Sequence, residues 1–114
     1  MDNMTIISVT VLIFILFDLV TGLLAALKNR EFKSAVMREG LFHKIGELAV
    51  FALAILCDRL TPNIGVDLPV NIATAVASYL VIMEIGSILE NISKLSPEAA
   101  KIFSKITEKD GSKK

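Results

Sequence analysis

Little of what builds an enzyme or a disulfide scaffold is found in this chain of 114 residues. Its one cysteine, Cys57, excludes an intrachain disulfide and a cysteine metal cluster, which leaves packing as its expected role. The one histidine, His43, cannot make a zinc site alone and reads as a solvated side chain in a basic stretch. With no glycine-rich phosphate loop and no nucleophile and base pair, the sequence points away from catalysis, and no cofactor, metal or nucleic acid is expected. A secretory signal is also missing: the first apolar run has no basic lead, is too long for a signal core and precedes no small-residue cleavage pattern. That run is expected to stay in the mature protein.

What the chain has instead is apolar length. Hydrophobic residues make up 54% of it, gathered in three stretches that each carry one carboxylate: Ile6 to Leu27 with Asp18, a weaker one around Ile45 to Cys57 with Glu47, and Leu68 to Leu89 with Glu84. A helix of about 22 residues rises about 33 Å, which matches a hydrocarbon core about 30 Å thick. The pattern predicts an all-α integral membrane protein with three transmembrane helices. An acidic side chain near the centre of a span costs about 2.5 to 3.5 kcal/mol on insertion scales, so each carboxylate should turn toward protein or water.

The zero net charge hides a segregation along the chain. Lys28, Arg30, Lys33, Arg38 and Lys44 outweigh Glu31 and Glu39 in the first connection, and lysines dominate the tail after Leu89. The N-terminus and the connection Asp58 to Asp67 lack this excess. By the positive-inside rule the first connection and the C-terminus lie in the cytoplasm, giving an N-out, C-in protein.

The first helix is predicted to start near Thr5, with Asp18, Thr21, Gly22 and Ala25 on one narrow face. Gly22 and Ala26 form a small-xxx-small pair, the kind of surface on which helices approach closely in lipid. From Glu31 to Lys44, apolar Phe32, Val36, Met37, Leu41 and Phe42 are set among basic residues, which predicts a separate interfacial helix capped by Ser34, with Gly40 bending into the second span. The five basic residues from Lys28 to Lys44 are assigned to that interface. The second span is marginal, because only Leu48 to Cys57 is free of charge and twenty residues are reached only from Leu41 to Leu60. Lys44 and Glu47, at i and i+3, are expected to neutralise each other in part. Pro62, Gly65 and Pro69 punctuate the second connection. On the third span Glu84, Ser87 and Asn91 fall at i, i+3 and i+7. Ser96 and Pro97 then read as a helix start. A short amphipathic helix with Ala99, Ile102, Phe103 and Ile106 on one face follows, suited to the inner membrane surface, and Thr107 to Lys114 is expected to be a solvated tail.

No histidine or basic residue is expected beside Asp18 in the membrane centre. The carboxylates therefore make a poor relay within one monomer and fit better on surfaces shared between subunits. The oligomer or pore face is accordingly assigned to Asp18, Thr21, Gly22, Ala25, Glu47, Glu84, Ser87 and Asn91.

Four strings taken together are more specific than any one: Asp18-Leu19-Val20-Thr21-Gly22, Ala26-Leu27-Lys28-Asn29, Lys33-Ser34 through Gly40-Leu41-Phe42-His43-Lys44, and Glu84-Ile85-Gly86-Ser87-Ile88-Leu89-Glu90-Asn91. In order and spacing, from Asp18 to Asn91, they resemble the phage lysis and toxin-secretion holins of the clostridial and bacillar type. The resemblance implies a small protein that forms homo-oligomers in the bacterial cytoplasmic membrane. There it opens lesions that release an endolysin or a large toxin, without direct contact with either being required. It also implies a domain organisation: a transmembrane holin domain over residues 1–95, with spans at about 6–27, 41–60 and 68–89, and a cytoplasmic helix and charged tail over 96–114. Two other readings stay open, a small proton- or cation-coupled transporter and a non-conducting antiholin or membrane scaffold.

Overall fold

The computed structural model describes residues 2–30 and 33–111. The order of elements is α1 (Asn3–Asn29), α2 (Ser34–Leu60), a 3-10 turn (Thr61–Ile64), α3 (Ile72–Leu95) and α4 (Pro97–Gly111). The first three helices are long and apolar enough to cross a membrane, the second with the 3-10 turn included. Helix α3 is central: α1 and α2 each pack against it, while α1 and α2 barely meet. Chain direction alternates, so α1 and α3 run parallel and α2 runs against both.

Each helix buries a stripe at i, i+3 and i+4 spacing. On α1 it is Val11, Ile15, Asp18, Thr21 and Ala25; on α2, Lys44, Glu47, Phe51 and Ala54; on α3, Ala73, Ala77, Leu80, Glu84 and Ile88. The core is divided along its length. Val11, Ile15, Phe51, Ala54, Ala73, Ala77 and Leu80 make an apolar cluster in the half that holds the second connection. The half nearer the first connection is filled by charged and polar groups. Alanines on α3, Ala73 completely buried among them, let the helices close on one another. Outward the surface is aliphatic: Leu16 is 61% and Ile82 69% exposed, normal for a helix bathed in lipid and untenable over so large an area in water.

The helix ends show why the elements stop where they do. The Asp2 carboxylate accepts the Thr5 N–H at 2.7 Å and caps α1, and that N–H holds the carboxyl below its usual range. Arg30 closes α1 in the left-handed region, φ 55°, donating its N–H to Ala26 and Leu27 carbonyls. Helix α3 starts at Ile72, four residues later than expected, because Pro69 disfavours a helix before it and Asn71 accepts the Thr74 N–H at 2.8 Å. It continues to Leu95, past the expected end at Leu89, until Ser96 and Pro97 interrupt it. The Ser96 hydroxyl accepts the Ala99 N–H at the start of α4, which runs to Gly111 and so takes in part of the stretch expected to be a solvated tail.

The second helix departs most from the sequence reading. No separate interfacial helix exists among the described residues: α2 is unbroken from Ser34 to Leu60, about 40 Å at 1.5 Å per residue. It passes straight through Gly40. Ser34 does not cap it; Lys33 holds the N-cap position, without a side-chain bond. A glycine in a helix costs only about 1 kcal/mol, which is too little to break an element anchored by burial further along. Glu31 and Phe32 lie outside the described residues.

Asp58 holds the second connection. From the last turn of α2 its two carboxylate oxygens accept the Ile72 N–H at 2.9 Å and the Ala73 N–H at 2.7 Å, satisfying orphan donors at the start of α3. Asp58→Ala should lower stability by about 1 to 2 kcal/mol, with Asp58→Asn losing less. Thermal loss of helicity in detergent micelles checks this. Equal melting of all three proteins would show the clamp to be idle.

A candidate functional site inside the three-helix bundle

The polar half of the core is organised by one side chain, Lys44. Helix α2 brings its ammonium group into the gap between α1 and α3. There it donates to both carboxylate oxygens of Glu84 at 2.6 Å and to Oδ2 of Asp18. Asn91, two turns beyond Glu84 on α3, donates its amide to Oδ1 of Asp18 at 2.8 Å and to the Asp18 carbonyl and the Thr21 hydroxyl at 3.2 and 3.1 Å. Thr21 in turn donates to the carbonyls of Phe17 and Asp18. The amide of Asn91 rests against Gly22, where a Cβ would stand 3.4 Å away. The network ties all three helices together in a place where water cannot compete. Glu84 is 2% exposed, and Asp18, Thr21 and Lys44 are buried.

The site draws in a third carboxylate. Glu47, one turn from Lys44, has Oε1 3.4 Å from the ammonium. The distance qualifies as an ion pair, but the alignment does not make a hydrogen bond, and both Glu47 oxygens are buried without a donor. Three carboxyls therefore face one ammonium. Among the described residues no three histidine, cysteine, aspartate or glutamate side chains are placed to hold a metal ion.

Six of the eight residues assigned to a shared face, Asp18, Thr21, Ala25, Glu47, Glu84 and Asn91, turn inward within one chain, with Gly22 half-buried behind Asn91. Ser87 does not join them: α3 presents Glu84, Ile88 and Asn91 to its neighbours, which leaves Ser87 exposed on the flank. Lys44 corrects two expectations at once. It is not interfacial, and it is the basic partner that Asp18 lacked in the sequence reading. The signal was present, since three carboxylates in spans demand a cation and Lys44 is the basic residue furthest into a span. The short sequence distance to Glu47 masked its longer reach to Asp18 and Glu84.

The other basic residues stay outside. Arg30, Lys33 and Arg38 are exposed. Lys28, also exposed, donates to the carbonyls of Lys94 and Leu95 at 3.3 and 2.8 Å, capping the C-terminus of α3 where a cation is favoured.

A buried pair is costly to break because the remaining charge stays desolvated. Lys44→Met should therefore lose about 3 to 5 kcal/mol. Asp18→Asn keeps the Lys44 and Glu84 pair and should lose less. Denaturation in mixed micelles, followed by helicity, gives the order. If Asp18→Asn proved the more damaging, Lys44 would not be the centre of the network.

Comparison with curated proteins and with solved structures returns no match. A family model described as the bacteriophage holin family matches residues 2–109. Three membrane-spanning helices and a match from one end of the bundle into α4 give one conclusion: the chain belongs to the bacteriophage holin family and is a multi-pass membrane protein, not an enzyme.

Proposed function

We propose that the protein accumulates in the bacterial cytoplasmic membrane as closed three-helix units and associates with copies of itself. The bundles then part, forming lesions through which an endolysin or a large toxin leaves the cytoplasm. The observation that carries this reading is the polar network of Asp18, Lys44, Glu84 and Asn91, satisfied within one chain whose exterior is aliphatic. Such a unit has two acceptable states. Closed, its charges pair with each other and its surface suits lipid; parted, the same charges are solvated by water in a lumen shared with other copies. Intermediate states, with charges facing hydrocarbon, are disfavoured, which makes the change cooperative and the release abrupt.

In this reading the N-terminus and the second connection lie outside, and the first connection and residues 96–114 lie in the cytoplasm. Helix α4 rests on the inner membrane surface through Ile102, Phe103 and Ile106, all exposed in the single chain. The residues assigned to the pore face act only after parting, when Asp18, Glu47 and Glu84 turn from the core to water.

Three measurements test this. Reporter fusions at Ser34 and after residue 111 should read cytoplasmic, and one at Asn63 external; a cytoplasmic Asn63 would mean that α2 does not cross. Induced expression in a bacterium carrying a cytoplasmic muralytic enzyme should give a sudden loss of membrane potential followed by lysis, and without the enzyme the potential should fall but the turbidity persist. Passage of protons or small ions alone, with folded proteins retained at every protein-to-lipid ratio in vesicles, would favour the transporter reading. No leak of any kind would favour the antiholin or scaffold.

A further inference from the structure

Glu47 is the member of the cluster that the bundle leaves unserved. Asp18 receives donors from Lys44 and Asn91, and Glu84 receives Lys44 on both oxygens, but neither oxygen of Glu47 has a donor although its side chain is only 6% exposed. The charged groups gathered on the same ammonium as Glu47 come from every helix: Asp18 from α1, Lys44 from α2 and Glu84 from α3, with His43 of α2 and Tyr79 of α3 along the groove that Glu47 lines. Lys44 is the one buried cation among the described residues. Three ionised carboxyls against one ammonium would leave two uncompensated negative charges at low dielectric, and each proton bound by the cluster removes one of them. The point on which the three carboxyls converge is already held by the Lys44 ammonium, and among the described residues no three of them are placed to hold a metal ion. The donor that Glu47 lacks is one that a single oxygen can hold.

We propose that Glu47 is a proton-binding site, occupied when the bundle is closed and emptied when it parts. The bound proton turns Glu47 from an acceptor without a donor into a donor toward the carboxyl cluster. The proton comes from water as the bundle closes, and in the closed unit Glu47 lines a groove of about 590 Å³ between α2 and α3 together with His43, Gly46, Val50, Val76 and Tyr79. One O–H bond forms on closing; on parting it breaks and the proton returns to water. Because the closed unit holds more protons than the parted one, falling pH favours closure and rising pH favours opening. The gain is up to about tenfold in the opening equilibrium per pH unit for one proton.

The first arm of the test is independent of the proposed lesion. Infrared spectra of the full chain in lipid vesicles should show a protonated-carboxyl band at neutral pH that shifts in heavy water and is lost in Glu47→Gln, an isosteric neutral variant. The second arm rests on the holin reading: leak from vesicles should rise with pH, with a slope lower by about one proton in Glu47→Gln. Absence of the band throughout the neutral range overturns the proposal, as does its persistence unchanged in Glu47→Gln. A leak that responds to exchanging sodium for potassium but not to pH would assign the charge to an alkali cation and overturn it as well. Should Glu47→Gln fail to insert, Glu47→Asp takes its place, and a band unchanged in position and intensity in that variant overturns the proposal. A Glu47 band in a protein that never leaks would leave the proton site standing and remove the lesion.

Discussion

Everything in the bundle depends on placing one ammonium group between two helices that hardly touch. Helices α1 and α2 each lean on α3, so the apolar core joins them only through that middle element. Lys44 spans the gap directly, from α2 to Asp18 on α1 and Glu84 on α3. A buried ion pair is seldom worth more than well-packed aliphatic residues would be, but it is far more particular about geometry. A rotation of α2 by one residue would carry Lys44 toward lipid and leave Asp18 and Glu84 facing each other. The network thus fixes helix register more than it adds stability.

The division of the core into an apolar and a polar half follows from the same constraint. Where no carboxylate has to be served, small and branched residues pack Ala73, Ala77 and Ala54 against Phe51, Val11 and Ile15. Where carboxylates must be served, α1 and α2 stay apart. They flank a crevice of about 460 Å³, with Gly22, Ala26 and Gly40 in its walls and Asp18, Lys44 and Asn91 at its polar end. The weakest seam therefore runs beside the strongest polar contacts. Separation along it would cost little apolar packing and one ion pair, Lys44 with Asp18. Meanwhile α3 is held at both ends by its neighbours, through Asp58 at its start and Lys28 at its finish.

Much of the architecture was legible in the residues. Helices α1 and α3 are marked by apolar length, and the stripe of Asp18, Thr21 and Ala25 by its spacing alone. The second helix was harder to read, because local composition in Lys33 to Lys44 describes an interface well while Lys44 at its end is paired inside the bundle. A lysine next to a glutamate at i+3 reads as a local neutralisation, and nothing local distinguishes it from a lysine that reaches across the bundle. Ser87 lies apart from the buried stripe for a related reason. Helical spacing puts it within 60° of Glu84, and only the angle at which α3 meets its neighbours decides that it stays outside.

The sequence by itself determined the solvent, the number of spans and their amphipathic stripes, because hydrocarbon demands long apolar helices whose backbone groups bond internally. The spacing of residues along a helix is likewise fixed by the helix itself. Which polar groups meet was decided only by tertiary structure: Asn91 with Asp18, Lys44 with Glu84, Asp58 with the start of α3, and Glu47 with no donor at all. Those contacts join residues 14 to 73 positions apart, and they depend on crossing angles and relative heights of helices. Both are set by the packing of whole surfaces and not by any local string.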